Sequence, residues 1–277
     1  MINQPYDRIG YWSEIKLDIV REYAGAYSRI LSAQKRPRLT HVYIDAFAGA
    51  GVHISRTTGE YVPGSPLNAL LIQPPFAEYH LIDLDSKKVH SLRDVLRDRP
   101  EVTIYEGDCN TILLDQVFPR VRFEDYRRAL CMLDPYGLHL NWEVMQVAGQ
   151  MRSVEIFLNF PVSDMNRNVL WRAPENVDPK QAARMTAFWG DGSWRQAAYD
   201  TQGNLFGWEQ QTDNQTVVDA FRKRLQVAAG FKHVPEPIPM RNLQGAVVYY
   251  LFFASQKPVA ADIVKDIFHK YRDAGKL

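Results

Sequence analysis

Residues 40–51 read T-H-V-Y-I-D-A-F-A-G-A-G, and the fold follows from how that stretch is parsed. Val42, Tyr43 and Ile44 form a short β-branched and aromatic run, the composition of a buried strand. Asp45 stands where the strand stops. Gly49 and Gly51 follow, and a residue without a Cβ reaches backbone angles closed to others and lets a ligand approach the main chain. A strand, a carboxylate and a Gly-rich turn together predict a nucleotide-like cofactor at the edge of an α/β sheet.

Outward from that stretch, the pattern repeats. Strands are expected at Tyr79 to Ile82, Val102 to Tyr105, Ala129 to Leu133 and Val154 to Leu158. Helical spacing separates them, with Asp85 capping one helix, Asn110 opening a second and Asn141 capping a third. Five strands with helical crossovers imply a parallel sheet. Asp45, Asp83, Asp108, Asp134 and Asn159 fall in phase, each at or just past the carboxyl end of a successive strand. In a doubly wound sheet those ends share one edge, where ligands bind. A core strand needs no carboxylate at its end, so the row is expected to be a set of hydrogen-bond acceptors for one small molecule.

Before the first strand, Trp12, Ile15, Ile19, Tyr23, Tyr27, Ile30 and Leu31 mark an amphipathic helix. Between Gly51 and the next helix, Val52 to Pro63 is expected as a loop, either part of a pocket wall or plain surface. Ser65 is expected as an N-cap with Pro66 behind it. After the fifth strand, Val162 to Asn214 breaks the alternation with Trp171, Trp189, Trp194 and Trp208. Two short helices are expected there, near 179–188 and 193–199. The segment is either a lid whose aromatics stack on a base or a helical cap with its own small core. A helix over 216–229, an edge strand over 234–240, a turn over 242–245, a buried strand over 246–254 and a helix over 260–271 complete the chain. The short last connection implies an antiparallel hairpin.

The expected fold is therefore α/β: a Rossmann-like seven-stranded methyltransferase sheet with a C-terminal antiparallel hairpin and a helical insertion after strand 5. It is read as one domain over 1–277, with an N-terminal helix in 1–36, a Rossmann core in 38–161, the insertion or lid in 162–213, and the closing helix, hairpin and last helix in 214–277.

Composition narrows the class. The chain has 277 residues, is 46% hydrophobic and carries a formal net charge of +1. That size suits one large α/β domain. No apolar run approaches the ~20 residues of a membrane span, and M-I-N-Q-P-Y-D does not read as a signal peptide. The only cysteines are Cys109 and Cys131, without a C-x-x-C, which excludes a cysteine-built metal site within the chain. A cytoplasmic protein is expected. The Arg120, Arg122, Arg127 and Arg128 cluster is expected as a solvated loop before a strand. His53, His80, His90 and His139 show no metal spacing.

Chemistry separates the cofactors. NAD fits poorly, because the G-x-G lacks a third glycine and Ile54 stands where it would be. A loop also intervenes where a pyrophosphate needs a helix N-terminus. There is no G-K-[ST] for a P-loop. S-adenosylmethionine (SAM) fits. Asp45 can take its ammonium, directly or through water. Asp83 can take the ribose hydroxyls and Asp108 the adenine amino group, while Gly49 and Gly51 admit the tail. Phe47 packs near the cofactor or in the core, and Cys109 lines the adenine pocket or the core.

Several stretches together resemble the three-Cys-motif partner proteins (TcmP): W-S-E-I-K-L-D-I-V-R-E-Y at 12–23, D-A-F-A-G-A-G at 45–51, G-S-P-L at 64–67, L-D-P-Y-G at 133–137 and V-Y-Y-L-F-F-A-S at 248–255. The resemblance implies a methyltransferase-type Rossmann domain, a SAM-type site and a radical-SAM-like companion bearing the three-cysteine motif. The fourth strand end is also similar to the Asp-Pro-Pro-Tyr of nucleic-acid amino-methyltransferases, where the carboxylate and a proline carbonyl accept from the target amine and the aromatic stacks on a flipped base. Here Asp134, Pro135 and Tyr136 are the candidate catalytic residues. The second proline is missing and the aromatic is one place early. A cytosine-C5 mechanism is rejected, because Cys131 lies inside the strand with no proline before it. The expected activity is SAM-dependent methyl transfer to an amino group of DNA, RNA or a nucleobase. The alternatives are a SAM-binding accessory to the three-cysteine companion and a Mg²⁺-assisted nucleotide-processing enzyme.

Overall fold

The computed structural model describes residues 6–200, 210–242 and 244–272. Seven strands form one sheet: β1 (Thr40–Asp45), β2 (Glu78–Asp83), β3 (Val102–Glu106), β4 (Arg127–Leu133), β5 (Val154–Phe160), β6 (Ile238–Arg241) and β7 (Val247–Ala254). Their order is β6-β7-β5-β4-β1-β2-β3. β7 runs antiparallel to both of its neighbours, and the remaining pairs are parallel. This is the Rossmann-like methyltransferase arrangement, and the C-terminal hairpin is where it was expected.

The central strands are apolar on both faces because helices cover both. Alternation then divides each strand between two cores. Val42 and Ile44 join Ala129, Cys131 and Leu133 on one side. Tyr43 joins Leu130, Met132 and Phe157 on the other. The second side is covered by the long helix Tyr11–Ala33 and the last helix Pro258–Arg272, which bring Tyr23, Tyr27, Val264 and Phe268. The first side is covered by Trp142–Met151 and Asn214–Val227, which bring Met145, Phe221 and Leu225.

The insertion joins that first core. Phe188, Trp189 and Trp194 are buried in it. Phe221 lies 4.7 Å from Phe160 and stacks on Phe188 at 5.6 Å, centroid to centroid. Of the two readings of the insertion's tryptophans, packing holds for Trp189 and Trp194, in the main core rather than in a small core of their own. Trp171 is half-exposed, its indole N–H donating to the Arg167 carbonyl. Trp208 lies outside the described residues, as do the first five residues and Leu243 of the expected turn.

Several local expectations shift. Val52 to Pro63 is a hairpin, Val52–Ser55 against Tyr61–Pro63, extended by a parallel strand at Arg8–Ile9. The edge strand is shorter than 234–240, because Pro235 and Pro237 have no N–H to give the ladder. Gly64 rather than Ser65 holds the N-cap of Ser65–Leu70. Asp108 rather than Asn110 opens Cys109–Ile112. Asn141 sits at its N-cap without a capping side-chain bond. The expected solvated loop fails for Arg127 and Arg128, which lie in the strand β4 itself. A helix at Val162–Asn168 was not foreseen. Among the described residues, no helix is long and apolar enough to cross a membrane.

Candidate active site

The turn after β1 sets the geometry. Gly49 and Gly51 have φ of 63° and 81°, in the left-handed region. A Cβ on Gly51 would stand 2.8 Å from Leu92 Cδ1, so the turn also admits no side chain there. Gly49 donates its N–H to Asp83 Oδ2 at 2.8 Å, and Asp85 donates its N–H to Asp83 Oδ1 at 2.8 Å. Asp83 thereby ties the first turn to the second.

Asp45 departs from expectation. It is wholly buried and does not line the pocket. Its Oδ1 accepts the Phe47 N–H at 3.2 Å. Burial pushes its pKa up to about 6, with Asp134 adding to the rise, while the Ser65 hydroxyl, the Phe47 N–H and Lys16 resist it. Asp108 likewise accepts the N–H groups of Asn110 and Thr111, at 2.6 and 3.4 Å. The premise that a strand needs no acid at its end is therefore corrected. Strand-to-helix turns leave backbone N–H groups without partners, and a strand-end aspartate is the nearest acceptor for them. Cys109 belongs to the core, and burial pushes its thiol up to about 12, reinforced by Asp108 and Asp83.

A pocket of about 300 Å³ opens next to this turn. Phe47, Gly49, His53, Asp134, Pro135, Tyr136, Asn159 and Asp164 line it, with Lys16 and Tyr249. It brings together six of the predicted residues, Phe47, Gly49, Asp134, Pro135, Tyr136 and Asn159, and leaves out Asp45, Gly51, Asp83, Asp108 and Cys109.

Lys16 was not foreseen as a site residue. It is buried and forms an ion pair with Asp134 Oδ2. Its Nζ lies 5.3 Å from the centroid of the Tyr249 ring. Burial alone would pull its pKa down, but Asp134, Tyr249 and Asp45 outweigh it and hold the ammonium above its ordinary value. The signal was present in the sequence. Lys16 falls four residues after Trp12 and three before Ile19, a cation inside the apolar stripe of the helix. His53 shares the pocket. Burial, then Lys16, keep its imidazole below its ordinary pKa and hence neutral at pH 7.

Tyr136 is tethered. The residue is 71% exposed, but its hydroxyl donates to Asp7 Oδ2 at 2.7 Å. Lys88 pairs with the same oxygen at 2.6 Å and lies 5.1 Å from the ring centroid. Burial tends to raise the Asp7 pKa, and the bonds from Lys88 and Tyr136 bring it below the usual range. The next residue explains why the motif departs from Asp-Pro-Pro-Tyr. Gly137 has φ of 152°, and a Cβ there would stand 2.8 Å from Asp164 Oδ2. The carboxylate of the insertion's first helix occupies the space that a side chain at this position would take.

Two further residues went unforeseen. Asp164 comes from the unpredicted helix, and Leu84, beside Asp83, is 74% exposed. His139 pairs with Arg184, Nε2 to Nη2, at 3.2 Å. Among the described residues, no three His, Cys, Asp or Glu side chains come together as a metal-binding group.

No protein-family model matches the sequence, and no curated protein is similar to it. Solved structures do share the fold. Protein LPL1258 from Legionella pneumophila, of the DUF519 family model, is 11% identical with a TM-score of 0.55, over 93% of this chain and 91% of that one. Trm1 from Pyrococcus horikoshii, in complex with S-adenosyl-L-methionine, is 12% identical with a TM-score of 0.48, over 90% of this chain and 57% of that one. The methyltransferase domain of bacterial CtHen1 is 11% identical with a TM-score of 0.40, over 86% and 99%. At these identities the likeness establishes the fold alone, and the last two, below 0.5, add nothing to it.

Proposed function

We propose that this chain is a SAM-dependent methyltransferase whose target is an amino group of a nucleic acid or nucleobase. The observation that carries the reading is the position of Asp134. It lines a pocket that also contains Gly49 and Phe47 of the glycine turn, so the candidate catalytic acid and the candidate cofactor turn open into one space.

The residues present suit the cofactor. The turn approaches closely without side chains. Asp108 stands exposed past β3, and Leu84 offers an apolar surface next to Asp83. Asp83 and Asp108 keep their proposed ribose and adenine roles only through lone pairs not already engaged by backbone N–H groups; each carboxylate oxygen has two. Asp45 supports the turn from below and acts on the ammonium at a distance. Bound SAM would supply an electrophilic methyl group on a sulfonium. Asp134 accepts a hydrogen bond from the target N–H through the oxygen not held by Lys16, which turns the nitrogen lone pair outward. Lys16 pairs with the other oxygen and fixes the orientation of that carboxylate. Pro135 offers a carbonyl as second acceptor, and Tyr136 offers an exposed ring to an extruded base. Much of the acceleration would come from holding the reactants in line.

Calorimetry with SAM tests the first half. Measurable binding is expected, weakened in Asp83→Ala; no binding, with the variant equal to wild type, ends the reading. Labelled methyl incorporated into RNA or DNA tests the second half.

One observation favours a second reading. The Tyr136 hydroxyl is held by Asp7, and Gly137 stands where the motif's aromatic would be, so the motif is altered where base stacking would occur. On that reading the chain is a SAM-binding accessory, as the TcmP resemblance implies, to a radical-SAM-like three-Cys-motif protein. Co-purification with such a partner, and no methyl transfer by this chain alone, supports it. Methyl transfer by the chain alone rejects it.

A further inference from the structure

The far wall of the pocket contains acceptors with nothing to accept from. Asn159 is buried at the end of β5, and its Oδ1 has no hydrogen-bond partner. Asp164 Oδ1 accepts from Asn168 Nδ2 at 2.8 Å, but its Oδ2 is buried and unpartnered. Both residues line the same cavity as Asp134. A buried acceptor left without a donor is destabilising, and two in one small cavity are not explained by packing. Asp164 also holds its place through a constraint on its neighbour, since Gly137 has no Cβ where that oxygen lies.

We propose that Asn159 and Asp164, together with Asp134, form an acceptor wall that selects a planar ring by its N–H donors, the amino-bearing edge of a nucleobase. This rests on the reading of the pocket as the methyl-acceptor site. The cavity lies at the lower end of small-molecule sites, so the ring enters alone and must be extruded from any duplex. Carboxylate and amide oxygens accept from an exocyclic amino group and from a neighbouring ring N–H. A ring that presents carbonyl oxygens on the same edge would set acceptor against acceptor. Specificity then follows from the penalty on the wrong ring as much as from attraction to the right one.

The test is binding of four nucleosides to the full chain at neutral pH: cytidine against uridine, and guanosine against inosine. Each pair differs in the donor that the wall would read. At least one amino-bearing member is expected to bind about tenfold more tightly than its counterpart, the discrimination of one good pair of hydrogen bonds. Asp164→Asn turns one acceptor into a donor and should reduce that preference to about threefold or less. Asn159→Ala removes an acceptor that stabilises nothing, so it should lower the preference while leaving the thermal midpoint unchanged or raised. A purely structural role predicts the opposite pair of results. Equal binding within both pairs, an unchanged preference in Asp164→Asn, or no binding of any nucleoside overturns the proposal. SAM titrated into the same samples separates the two claims. Discrimination without SAM binding keeps the wall and removes the methyltransferase reading; SAM binding without discrimination does the converse.

Discussion

Two halves of one sheet edge use the same residue type differently. On the β1-β2-β3 side, Asp45 and Asp108 accept backbone N–H groups of the turns that follow them, and Asp83 accepts from its own turn and from the turn after β1. On the β4-β5 side, Asp134 meets a buried ammonium from a distant helix, and Asn159 and Asp164 face a cavity. The first half is braced, and its acids are local structure before they are anything else. The second half carries groups whose needs local structure does not meet, and the proposed acceptor wall rests on that difference.

The sharpest break between the halves is Asp134→Ala. It leaves Lys16 buried without its carboxylate, and an uncompensated buried charge costs about 3–5 kcal/mol. A fall of that order in denaturant-derived stability is expected, with much of it restored in Lys16→Met/Asp134→Ala. No loss would mean that the pair is solvated and the pocket more open than its geometry implies.

Asp45→Asn should act in the opposite direction. A carboxyl whose folded pKa is raised binds its proton more tightly folded than unfolded, so the folded state gains as pH falls from about 6 to about 4 and bears the full penalty above about 6. Removing the charge should stabilise the protein at neutral pH by up to about 3 kcal/mol, on a two-unit shift. The gain should vanish near pH 4. Chemical unfolding at both pH values measures it.

Asp83→Asn should cost about 1–3 kcal/mol of stability, because the amide keeps one oxygen, so either the Gly49 or the Asp85 N–H loses its acceptor and faces an NH2 donor. It should also weaken SAM binding. A loss of stability without loss of SAM affinity would confine Asp83 to bracing.

Tyr136→Phe should be the mildest. It deletes one hydrogen bond to a partly exposed carboxylate that Lys88 still holds, worth under about 1 kcal/mol. The thermal midpoint should barely move. Methyl transfer falling while stability holds would assign the hydroxyl to the chemistry, and no change in either would leave it a tether.

Much of the frame was legible beforehand. The strand positions, the crossover pattern and the closing hairpin follow from apolar runs and turn residues, which are local properties. The glycine turn was legible as small residues directly after an apolar run, and Asp134, Pro135 and Tyr136, singled out with it, line the same pocket as Gly49. The fate of the strand-end acids was not, because an aspartate reads the same in sequence whether its oxygens face a ligand or a backbone N–H two residues away. The buried tryptophans were ambiguous for a similar reason, since aromatic content does not state which surface will cover it.

The succession of strands and helices along the chain, the presence of a glycine turn and the residue types at the strand ends were determined by the chain's own pattern, through hydrophobic periodicity and the steric freedom of glycine; the order of the strands in the sheet was not. Which acids remain available was decided only in three dimensions. Lys16 reaches Asp134 across 118 positions, and Asp164 meets Gly137 through a helix that the pattern did not announce. Contacts of that kind depend on how helices pack on the sheet, and a carboxylate's role is settled by the nearest donor in space, not by its neighbours along the chain.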